Sequence, residues 1–224
     1  MEEARNNSTY IVKRTFIVFG LLILAWILVW LLKVNLLDSR IIWLKTDIGG
    51  FTFWTITKIV IWIIPAFWLL ALSKRKLSEV LNFSNWRKWL IWGVGIGFII
   101  SLTGFIPKYL NNEPLVPTEF NIVLFSVLII APVFEEFLMR GVILGNLQQK
   151  YSFWVSNIIT AFFFLGLHLP GWYFMGTLME NITKPIGGVL SIFLLGFAFG
   201  YITYRGRSVL GGMIAHFLNN LSSL

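Results

Sequence analysis

Side chains able to move a proton or hold a metal stand inside otherwise apolar stretches of this chain. Glu135 and Glu136 fall in "APVFEEFLMRGVIL", residues 131–144, His168 ends "FFFLGLH", and His216 and Asn220 fall in "IAHFLNNL". An ionised group in such surroundings is costly unless it is paired or faces a wet cavity. On a helix Glu136 and Arg140 share a face, acid before base, the favourable order for an ion pair. Glu135 is turned about 100° away and has Leu138 and Met139 at the positions where a partner would stand, so it reads as free. Phe164 lies one turn before His168, and Asn220 one turn after His216, while Asn219 points elsewhere. A free intramembrane carboxylate serves as a general base, a metal ligand or a proton-relay site. Together with two imidazoles and an amide it is also a kit for hydrolysis: a base for water, groups to orient it or bind metal, and donors for an oxyanion.

Other chemistries are absent from the sequence. The chain has no cysteine, which excludes disulfides, thiol nucleophiles and cysteine-zinc sites. Neither G-x-S-x-G nor H-E-x-x-H occurs. The net charge of +8 does not indicate nucleic acid, because the basic residues fall in short connections between apolar segments, where they act as topology signals, and no basic-aromatic stripe accompanies them.

The elements that must position these groups are membrane helices. With 57% hydrophobic and 12% charged residues, the chain lies far from the roughly 25% charged residues of a soluble domain. Its length allows one domain, residues 1–224, an all-α polytopic transmembrane bundle of about seven spanning helices, within a range of six to eight. The first is "TFIVFGLLILAWILVWLL", read as a retained helix rather than a signal peptide because no small-residue cleavage site follows. Further segments are expected near 51–72, kinked at Pro65, and near 89–106, 119–149, 152–168, 185–203 and 208–223. Lys58 reads as a snorkelling lysine whose ammonium reaches the interface. Gly196 and Gly200 form a GxxxG, a spacing for close helix packing.

An inside N-terminus puts Arg5, Lys13, Arg14, Lys74, Arg75, Lys76, Arg87, Lys88, Lys150, Arg205 and Arg207 on the cytoplasmic side, the heavier share of the basic residues. The positive-inside rule therefore predicts a cytoplasmic N-terminus and, for seven spans, an external C-terminus. The absence of a targeting extension predicts a bacterial plasma membrane. No internal repeat is visible, which argues against an inverted-repeat transporter.

Three spacings occur in order: "EEFLMR" as E-E-x-x-x-R, "FLGLH" as F-x-x-x-H and "HFLNN" as H-x-x-x-N. In these the chain resembles the CAAX-protease and bacteriocin-processing (Abi) family of intramembrane endopeptidases, over roughly residues 119–223. The resemblance implies a membrane peptidase acting on prenylated proteins or on bacteriocin precursors. It implies Glu135 as the base that activates water, helped by His168, with His216 and Asn220 stabilising the oxyanion. Glu136, Arg140 and Phe164 support the site.

Two points stay open in the sequence. Glu135, His168 and His216 also make up a catalytic zinc set of the two-histidine, one-glutamate kind, and a metal-independent water site uses the same residues equally well. The heights also disagree. At 1.5 Å per residue His168 lies about 24 Å above Ser152, whereas His216 lies about 12 Å above Ser208, so the two miss each other unless a helix is displaced or tilted. The rival readings are a non-enzymatic immunity or scaffold protein and a proton-coupled transporter.

Overall fold

The structure, a computed structural model, describes residues 2–224, with side chains from Asn6 onward. Among the described residues there are helices and no strands. Six helices are long and apolar enough to cross a membrane: α1 (Asn6–Arg40), α2 (Asp47–Leu72), α3 (Leu77–Leu110), α4 (Ile122–Leu147), α5 (Phe153–Phe174) and α6 (Val189–Gly206). A seventh, α7 (Val209–Ser223), has 15 residues, fewer than the roughly 20 a full crossing takes. The chain is thus a multi-pass membrane protein.

Local chemistry sets most of the boundaries. Thr46, Asn121, Ser152 and Ser208 each accept a backbone N–H at the start of α2, α4, α5 and α7, satisfying donors that a helix start leaves open. Two elements outrun their apolar runs. The first helix continues to Arg40 because Lys33 reaches forward to Asp38 and stacks against Phe53, so its charge is neutralised within the fold. The fifth continues through Pro170 to Phe174 and thereby places His168 inside the helix instead of at its end.

α4 is the central helix. Leu138, Met139, Val142 and Ile143 are fully buried, whereas Leu21 and Leu24 on α1, Ile91 and Ile99 on α3 and Phe162 on α5 face outward. That is the pattern of a bundle whose solvent is lipid. α1 and α2 are joined by tryptophans, Trp26 against Trp62 at 4.7 Å and Trp30 against Trp54 at 4.3 Å. The GxxxG brings α6 onto α5 as its spacing predicts: a Cβ at Gly200 would lie 1.8 Å from Asn157 Oδ1, and Asn157 uses the space to donate to the Phe197 carbonyl at 2.9 Å.

Candidate active site

Both glutamates lie near the middle of α4, where two π-helical turns, Ser126–Ile130 and Phe137–Leu144, interrupt the α-helix. The first has a cause in the sequence. The Ala131 N–H bonds back to the Ser126 carbonyl, and Pro132, next in line for Val127, has no N–H to give. The Val127 carbonyl is therefore left for a side chain, and Asn220 Nδ2 on α7 donates to it at 2.9 Å. Widened turns of this kind recur at functional sites; here one ties α7 to the motif helix.

The i,i+4 pair forms as its spacing predicts. Arg140 Nη1 donates to Glu136 Oε1 at 2.9 Å, with both side chains fully buried. Its Nη2 donates to the Gly196 carbonyl at 2.7 Å, and its guanidinium lies 4.3 Å over the Phe164 ring. The same Glu136 oxygen takes a bond from His216 Nδ1 at 3.0 Å, so one carboxylate joins α4 to α7 as well as to Arg140.

Glu135, expected to be free, is not. Lys58 on α2 places Nζ 3.4 Å from Glu135 Oε1 and 4.8 Å over the Trp62 ring. The lysine does not snorkel to the interface. Its stem runs inward because an intramembrane carboxylate gives its ammonium a better partner than the headgroup region, and the Trp62 face adds a second attraction. Glu135 and Glu136 thus each have a basic partner, Lys58 and Arg140. Spacing along α4 finds only the local pair, since the other partner is 77 residues away.

Both histidines are oriented by their Nδ1 atoms. His168 Nδ1 donates to the Phe164 carbonyl at 2.8 Å and His216 Nδ1 to Glu136, which leaves both Nε2 atoms for chemistry. The expected mismatch in height is bridged by Phe164, whose ring centroid is 4.8 Å from that of His168 and 5.9 Å from that of His216. Side chains on a helix lean toward its N-terminus, so His168 leans down onto Phe164 and toward His216. His216 in turn stacks on Phe199 with centroids 4.9 Å apart.

Glu135, His168, His216 and Asn220 line a single cavity of about 190 Å³. Asn219, expected to face away, lines it too and donates to Asn220 Oδ1 at 3.3 Å, because two adjacent amides at the end of a short helix both reach the same opening. A second cavity of about 270 Å³ meets the first at Glu135 and His168. It is walled by Trp26, Trp30, Trp54, Trp62 and Trp172, with Lys58 beside them. Trp26 Nε1 fixes its wall by donating to the Leu167 carbonyl at 3.0 Å.

A zinc site needs its three protein ligands at about 2 Å from one point. Among the described residues no three His, Asp or Glu side chains come together in that way, and Glu135 Oε1 is turned to Lys58. The candidate trio therefore does not fit zinc in this arrangement.

No curated protein and no solved structure matches the chain significantly. Residues 117–222, just under half of the chain and the part that carries Glu135, Glu136 and both histidines, match the family model described as type II CAAX prenyl endopeptidase Rce1-like.

Proposed function

We propose that the chain, acting as one membrane domain over residues 1–224 with its N-terminus in the cytoplasm, is an intramembrane endopeptidase of the cell membrane. Its substrate is a membrane-associated peptide, prenylated or of the bacteriocin-precursor type. The observation that carries this reading is the convergence of Glu135, the only two histidines of the chain and Asn220 on one small cavity.

Glu135 takes a proton from water, and the water oxygen attacks the peptide carbonyl carbon. His168, whose Nδ1–H is held by the Phe164 carbonyl, presents Nε2 as an acceptor that orients the attacking water. The carbonyl oxygen becomes an oxyanion, which accepts from His216 Nε2–H and from the Asn220 N–H not given to Val127. The proton held by Glu135 then passes to the departing amine nitrogen, leaving a carboxylic acid and an amine. Donors set in advance around the developing oxyanion supply much of such catalysis. Lys58 holds Glu135 in place, and the tryptophan-walled cavity beside it receives the apolar part of the substrate.

The test uses purified protein in nanodiscs with a prenylated reporter peptide and a bacteriocin-precursor peptide. Cleavage of either is expected for the wild type and its loss for Glu135→Gln, with both proteins monodisperse. Undiminished cleavage by Glu135→Gln overturns the assignment. Unaltered protection of cells by Glu135→Gln, in an immunity assay, favours a non-enzymatic binding protein.

A further inference from the structure

A cavity of about 720 Å³ shares no lining residue with the hydrolytic site. It opens at the end of the bundle that carries the connections near residues 73–76, 148–152 and 207–208. Arg75, Lys88, Arg140, Arg205 and Arg207 line it, with Glu79 as the sole acid. The Glu79 carboxylate is already engaged, since its Oε2 accepts from the Lys76 N–H at the start of α3.

The cations, by contrast, are short of partners. Among the described residues none of Arg75, Lys88, Arg205 and Arg207 has a carboxylate in ion-pair contact. Arg75 donates only to neutral oxygens, the Val142 carbonyl at 3.3 Å and Asn146 Oδ1 at 3.4 Å. Burial lowers its pKa, against the opposing pull of Glu79. Arg205 lies 4.4 Å over Trp92 and donates Nη1 to the Tyr201 hydroxyl at 3.1 Å, a neutral partner that leaves its other guanidinium N–H groups to donate. Two buried polar atoms of the lining residues, Arg140 Nε and Thr203 Oγ1, have no hydrogen-bond partner. Buried donors without partners are unusual in a folded protein, and each calls for an explanation.

We propose that this cavity binds a phosphate group, carried by an anionic lipid headgroup or by free phosphate. A phosphate offers several acceptor oxygens and more than one negative charge, which matches arginine donors arriving from separate helices. The volume is that of a small-molecule site, and basic pockets between membrane helices at one face take lipid headgroups. The α4 helix connects the two sites: Arg140 lines the cavity and its partner Glu136 holds His216. The proposal concerns binding and is independent of the peptidase reading.

The experiment is native mass spectrometry with thermal unfolding of the full chain in neutral detergent. Phosphatidylglycerol, phosphatidylcholine or inorganic phosphate is added in turn. Wild type is expected to retain phosphatidylglycerol and to be stabilised by it. Lys88→Gln/Arg207→Gln is expected to bind at least about tenfold more weakly, given the attraction contributed by each basic residue. The control Lys13→Gln/Lys150→Gln removes equal charge at the same end, outside the cavity, and is expected to bind as wild type does. Lys88→Gln alone serves if the double variant does not fold. Stabilisation by inorganic phosphate as well assigns the site to the phosphate itself, and stabilisation by phosphatidylglycerol alone assigns it to the lipid. Equal losses in the cavity and control variants, or no preference for phosphatidylglycerol and phosphate over phosphatidylcholine, overturn the proposal.

Discussion

Lys58 Nζ on α2 stands 3.4 Å from Glu135 Oε1 on α4, so each of the two adjacent glutamates faces a cation of its own, one from its own helix and one from another. This arrangement makes the net charge of the four groups zero inside the bilayer. It also ties the first half of the chain, which lies outside the residues matched by the family model, to the site.

Removing one member of that pair leaves a buried charge without a partner. Lys58→Met is expected to lower stability by about 3–5 kcal/mol, and Lys58→Met/Glu135→Gln to recover most of the loss. Thermal unfolding of the four proteins in one detergent closes the cycle; additive effects of the two substitutions contradict the pairing.

Arg140→Lys keeps the charge but not the fork that serves Glu136 and the Gly196 carbonyl together. It is expected to be destabilised, though less than Arg140→Ala, for which a loss of about 3–5 kcal/mol follows from the orphaned carboxylate. Denaturation midpoints of the two variants measure the difference.

The proposed oxyanion donors and the base have separable signatures. Asn220→Ala is expected to reduce kcat by about 10²–10³-fold with little change in KM, while Glu135→Gln abolishes turnover. Asn220→Ala also frees the Val127 carbonyl, so its unfolding midpoint is read alongside; a fall in stability with full kcat assigns Asn220 to structure alone.

Gly200→Ala sets a methyl against Asn157 Oδ1, which must move and give up its bond to Phe197. The expected loss is about 1–3 kcal/mol, readable as a lower unfolding midpoint. Gly20→Ala, at a position with open space around it, is the matched control and is expected to leave the midpoint unchanged.

Because the donor trio does not converge on a metal point, cleavage is expected to persist after exhaustive treatment with chelator. Elemental analysis of the same sample provides the check: stoichiometric zinc, lost together with cleavage in His216→Ala, shows that the side chains rearrange around a metal.

The all-helical membrane fold, the Glu136–Arg140 pair and the candidacy of Glu135, His168, His216 and Asn220 as site residues were legible in the sequence. Each rests on local chemistry: apolar runs of spanning length, a four-residue spacing on one helix, and polar groups too costly to leave in lipid without a use. Three matters were decided only by tertiary structure. Lys58 reads as an ordinary snorkelling side chain until α2 packs against α4, because an ion pair across 77 residues leaves no spacing to find. A count of intramembrane charges, two acids against Lys58 and Arg140, is the one trace of it in the sequence. By helical rise alone the two histidines miss each other in height, and Phe164 fills the step between them, which depends on how side chains lean and pack. The basic cavity draws its arginines and lysine from α3, α4, α6 and the connections at one end of the bundle. Charges scattered along the chain meet only when the helices do, since periodicity reports the face of one helix and not the partner it will find.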